Sequence, residues 1–83
     1  MRVTEKMIDS IINQINIKEN RPLEPWTRTD KGLSANIGNL SLYCGLGVYA
    51  LHETTSTGGG VHCLYNASNK KELYAYLNGR LRA

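Results

Sequence analysis

The sequence predicts a small α+β protein: a helix at each end and an antiparallel β-meander of three to five strands between them, with both helices on one face of the sheet. Three observations carry this. Apolar residues near the N-terminus recur at helical spacing, the middle alternates with a period of two, and the last segment returns to helical spacing behind a capping residue. The 83 residues fit a single domain. A chain this short buries only about 60–65% of its unfolded surface, so a partner or self-association would add materially to its stability.

The N-terminal helix is read over about 4–16. Val3, Met7, Ile8, Ile11, Ile12 and Ile15 fall on one face, while Glu5, Lys6, Asp9, Ser10, Asn13 and Gln14 are solvent types. Thr4 is the expected N-cap, with Glu5 in the positive first turn. Pro22 and Pro25 then mark a surface connector, because proline lacks an amide hydrogen and biases its predecessor toward extended geometry. Trp26 is expected to pack over a core edge.

Strands follow at 33–37, 40–44, 47–53 and 61–65, with 26–29 as a fifth candidate. Each is bounded by Gly, Asn or Asp. Gly38-Asn39 reads as a two-residue hairpin turn joining 33–37 to 40–44. Leu33, Ala35, Ile37, Leu40, Leu42 and Cys44 are expected to face the helices. For the next strand the phase is open: either Val48 and Ala50 point inward, or Tyr49 and Leu51 do. In VHCLY, the inward set is read as Val61, Cys63 and Tyr65. The closing helix is capped by Ser68 or Asn69 and carries Leu73, Tyr76 and Leu77 on its stripe. Asn78-Gly79 is its expected stop.

The stretch HETTSTGGGVHC, residues 52–63, gathers two histidines, a cysteine, hydroxyls and three glycines. A metal site needs three or four ligands, and His62 and Cys63, as strand neighbours, point to opposite faces. A phosphate loop needs a following helix and usually a lysine; here a strand follows. Nothing places a thiol beside an activating base except the pairing of 47–53 with 61–65, read as bringing His52 near Val61 and Cys63 opposite Ala50. The stretch is therefore expected to be a mobile hairpin loop, with no catalytic residue, metal or cofactor and no small-molecule substrate. Cys44 and Cys63 are expected to be free thiols buried as small apolar residues.

Charge is distributed unevenly. Residues 32–69 carry one charged side chain, Glu53, between two charged ends, and the net charge is +3. An outer sheet face made of Ser34, Asn36, Ser41 and Tyr43, with Tyr49 and Leu51 if the phase allows, has the composition of protein interfaces. Tyr43, Tyr49 and Leu51 are the expected contact residues for a protein partner or a second copy, and a bare edge strand is another route. Alternatively, the 17–31 connector covers that face. A rival reading is weak nucleic-acid binding through Lys70, Lys71, Arg80 and Arg82. The helix–strands–helix order and the SNKKE helix start are similar to the double-stranded-RNA-binding domain, in which a basic helix N-terminus touches phosphates. The chain departs from that pattern: Tyr74, Tyr76 and Leu77 replace an alanine-rich helix, a third lysine is missing, and Glu72 follows the pair.

The segments MRVTEKMIDSIINQIN, PLEPWTRTD, SANIGNLSL and KKELYAYLNG, in that order, resemble small accessory proteins of lambda-like phages and enterobacterial prophages. The VTEKM opening, the EPWTR connector, the ANIGN turn and the KELY helix start are the most specific parts. The resemblance implies a phage source and the infected bacterial cytoplasm; it implies no reaction and no catalytic residue. An apolar run of membrane-spanning length is absent, as is a signal-peptide pattern at MRVTEKMIDS.

Overall fold

The structure, a computed structural model, describes residues 2–83. Helix α1 spans Glu5–Lys18. Thr4 caps it, its hydroxyl oxygen accepting the Met7 N–H at 3.2 Å. The isoleucine stripe forms the buried face: Ile8, Ile11, Ile12 and Ile15 are all buried. Beta-branched residues are mediocre helix formers, so this helix depends on tertiary packing.

The five strands form two sheets. β1 (Trp26–Thr29) and β2 (Gly32–Ala35) make an outlying two-stranded hairpin around Asp30-Lys31. β3 (Leu40–Gly45), β4 (Val48–Thr54) and β5 (Val61–Ala67) form the main antiparallel sheet, in that order. The 26–29 candidate is thus a strand. The expected hairpin across Gly38-Asn39 does not form, because β2 pairs with β1 instead. The ANIGN segment is a crossing between the sheets, fastened at several points. The Gly38 N–H donates to Thr54 O, the Thr54 N–H donates to Asn39 O, and the Asn39 side-chain amide donates to Pro22 O. Leu33 and Ile37, expected inward, lie on this outlying part and are exposed; Ala35 alone of that strand is buried.

β3 and β4 meet at a two-residue turn, Leu46-Gly47, both with positive φ, as a primed hairpin turn requires. Leu46 is fully exposed there. β4 and β5 pair with a bulge: Leu51 faces Tyr65 while His52 faces Cys63, so Leu64 is the extra residue. The bulge lets Leu64 and Tyr65, neighbours in sequence, both pack on the core. It also overturns the simple alternation read for VHCLY: Tyr65 is inward, but Val61 and Cys63 are exposed. The register expectation changes with it. Cys63 sits opposite His52, not Ala50, and Val61 sits opposite Thr54.

Helix α2, Lys70–Arg82, is capped by Asn69, whose side chain accepts the Glu72 N–H at 2.8 Å. It runs through the expected stop at Gly79, because its last turn is held from outside. Lys18 donates to the main-chain oxygens of Leu81 and Ala83, and Arg80 pairs with Glu19. Both helices pack on the same face of the main sheet. The core joins the α1 isoleucines to Leu40, Leu51, Ala67, Leu73 and Leu77, with Tyr65 and Tyr76 stacked at 4.0 Å.

Candidate protein-binding face

The face of the main sheet away from the helices carries Ser41 and Tyr43 from β3. β4 adds Val48, Ala50, His52 and Thr54, and β5 adds Val61, Cys63 and Asn66. None bears a fixed charge. Glu53, the lone charged residue of the middle, projects to the other side, where Arg21 holds it at 2.5 Å. Tyr43 lies across from Ala50, which is 1% exposed, and its ring stacks on His52 with centroids 4.9 Å apart. Gly45 makes this possible, since a β-carbon there would lie 2.7 Å from the Tyr43 hydroxyl oxygen. The ring remains half exposed, and Leu46 projects from the hairpin tip at its end of the sheet; Val61, also half exposed, lies at the other end, opposite Thr54. The 17–31 connector leaves Tyr43, Val61 and Cys63 open.

Two of the three expected contact residues are elsewhere. The open phase of β4 resolves with Tyr49 and Leu51 toward the helices. Leu51 is completely buried in the core, and Tyr49 packs against that core with the Lys70 ammonium 5.9 Å from its ring centroid. They pair with Cys44 and Leu42 on one side and with Ala67 and Tyr65 on the other, so the whole row shares the apolar face. Tyr43 alone of the expected set is placed to touch a partner through the outer face.

Both cysteines are free and exposed rather than buried. Cys44, on the helix side at the sheet margin, donates to a Glu5 carboxylate oxygen at 3.3 Å. Partial burial first, and then that carboxylate, push its thiol above the ordinary value. Cys63 and His52 are cross-strand neighbours on the outer face, but among the described residues no three His, Cys, Asp or Glu side chains cluster to hold a metal ion. The TTSTGGG loop is hydrogen-bonded, not loose. Thr55 N–H donates to Gly60 O, Gly60 N–H donates to the Ser56 hydroxyl, and the Ala35 N–H from β2 donates to Thr57 O. Gly59, at φ +99°, lies under Trp26; a β-carbon there would be 2.9 Å from the indole. Trp26 therefore packs on this loop instead of a core edge.

The four cations considered for nucleic acid do not form a patch. Lys70 and Lys71 open α2, while Arg80 and Arg82 close it, roughly 15 Å further along the axis. Arg80 is already engaged: it forks onto both carboxylate oxygens of Glu19 at 3.0 Å. Glu19 also receives Arg21, which continues to Glu53 and to Gly38 O. The Arg80 hydrogen bond, outweighing burial, holds the Glu19 carboxyl below its ordinary value, and Glu19 raises both guanidinium groups. This half-buried chain of charges locks the connector, α1, α2 and β4 together. The one hint of it in the sequence was the placement of Glu19 and Arg21 beside the prolines.

Among the described residues, no helix is long and apolar enough to cross a membrane. An open groove of about 480 Å³, lined by Thr4, Met7, Ile11, Tyr74, Asn78 and Leu81 among others, runs between the helices, away from the outer face. Comparison with family models, with curated proteins and with solved structures returns no match.

Proposed function

We propose that the protein is a small non-catalytic binding module, a phage or prophage accessory protein of the bacterial cytoplasm that acts by docking another protein on its outer sheet face. One observation carries this: the face is free of charge along three strands and presents a stacked, half-exposed Tyr43, with exposed Val61 further along it at the opposite end of the sheet. Tyrosine among small polar residues supplies a large contact area with little loss of side-chain entropy. Leu46 supports the reading, since a fully exposed leucine in the left-handed region is unfavourable both to solvent and to its own backbone. Protein is favoured over nucleic acid because the basic side chains are split between the ends of α2. The test is capture from an enterobacterial lysate on immobilised protein, compared with Tyr43→Glu. The variant is expected to lose the specifically retained protein while keeping its circular-dichroism spectrum. An identical set retained by both proteins refutes the assignment of this face.

A further inference from the structure

The two edges of the main sheet are not equivalent. At the β3 edge, Asn16 of α1 clamps the main chain of Leu40: its side-chain oxygen accepts the Leu40 N–H at 3.0 Å and its amide donates to Leu40 O at 3.2 Å. Asn16 is 2% exposed, so this seal is built into the core. Among the described residues, no side chain clamps the β5 edge in this way. Thr54 directs both main-chain groups to residues 38–39, so alternation turns those of Glu53, Leu51 and Tyr49 toward β5. Across the bulge, Val61, Cys63 and Asn66 then direct theirs outward. Apart from its bulge, β5 carries none of the side chains that usually blunt an edge, since VHCLYNA contains no proline, lysine, arginine or carboxylate.

We propose that a second copy of this chain pairs with the β5 edge, antiparallel and two-fold, making one six-stranded sheet with all four helices on the same side. The strand suits its own image. With no charged side chain between Val61 and Ala67, it meets no like charge across the axis. The spacing of the outward groups sets the register: Cys63 of each copy lies opposite Asn66 of the other. Two reciprocal residue pairs form, and the two bulges sit at the centre. Pairing also enlarges the outer face. Three strands, about 4.8 Å apart and some six residues long, give a face of roughly 300 Å². A standard interface buries about 800 Å² per partner. Two faces side by side come much closer to that area, and this enlargement, unlike the edge pairing itself, rests on the docking role proposed for the outer face.

Light scattering and amide hydrogen exchange on the intact chain test this. The expected mass is twice the chain's 9.3 kDa. Amides of Cys63 and Asn66 should gain protection as protein concentration rises, while those of Leu42 and Cys44 on the β3 edge should not. Asn66→Pro, which removes an outward N–H and leaves the β4 ladder intact, should give a folded single chain; Tyr43→Glu should remain a pair. If the proline variant does not fold, the exchange pattern of the unaltered chain decides. A single-chain mass at every concentration overturns the pairing and leaves the outer-face reading standing. A pair that Tyr43→Glu disrupts and Asn66→Pro preserves overturns it as well, by moving self-association to the face.

Discussion

Removing the Asn16 side chain should unfold the protein far more readily than its modest size suggests. In Asn16→Ala, the Leu40 N–H and C=O lose their partners, and Leu40 itself is 2% exposed. Each buried main-chain group left unsatisfied costs about 1–3 kcal/mol, while rehydration through the space vacated by the side chain offsets part of this. The expected loss is about 2–4 kcal/mol, against a total of roughly 4–12 kcal/mol for a chain of this length. With a urea slope of about 1 kcal/mol per molar for a small domain, the midpoint should fall by about 2 M or more with the slope unchanged. Asn16→Asp provides a control with a sign. At neutral pH its carboxylate still accepts the Leu40 N–H but repels the carbonyl, so it should do no better than alanine. As the pH falls and the carboxyl takes a proton it can donate again, and the deficit relative to the unaltered protein should narrow. A midpoint shift worth less than about 0.5 kcal/mol for Asn16→Ala would refute the reasoning, because buried groups would then be finding other partners.

Two further outcomes follow from the charge chain and the docked loop. Glu19 has a folded-state pKa below its ordinary value, so its contribution is complete above that value and is lost as pH falls through the lowered one; the stability gap between the unaltered protein and Glu19→Gln, measured by urea titration, should be steady near neutrality and close in acid. Gly59→Ala puts a β-carbon into the Trp26 ring at a left-handed position; a loss of about 1–2 kcal/mol and a red-shifted indole emission are expected, and an unchanged spectrum would show that Trp26 does not rest on the loop.

The helices were legible because their signals are local. The isoleucine stripe, the Thr4 cap and the Asn69 cap act within one or two turns, and the structure places each where the spacing puts it. The strands were legible as strands but not as partners. Gly38-Asn39 has the composition of a hairpin turn, yet the competing turn at Asp30-Lys31 captures β2, and the choice depends on contacts with Pro22, Thr54 and Thr57 that lie far away in sequence. The phase of β4 could not be read because both of its faces are apolar: Ala50 on one side is as buried as Leu51 on the other. In β5 a single extra residue reversed the faces of Val61 and Cys63, and nothing in VHCLY marks the bulge. Asn16 was hidden for the same reason as the Arg21–Glu19–Arg80 chain. Polar residues on a helix flank read as solvated until the strand or helix they reach is known.

The β1–β2 hairpin is tied down at its base, through Ala35 to Thr57, Asn36 to Pro25 and Trp26 to Gly59, while the strands themselves are mostly exposed. Its tip at Asp30-Lys31 is therefore mechanically isolated from the body that carries the core. Foreign sequence spliced between those two residues, an epitope or a dye-binding peptide, would be displayed at the end of a short stalk whose foundations it never touches. That makes the tip the natural attachment point for immobilising the molecule without masking the sheet.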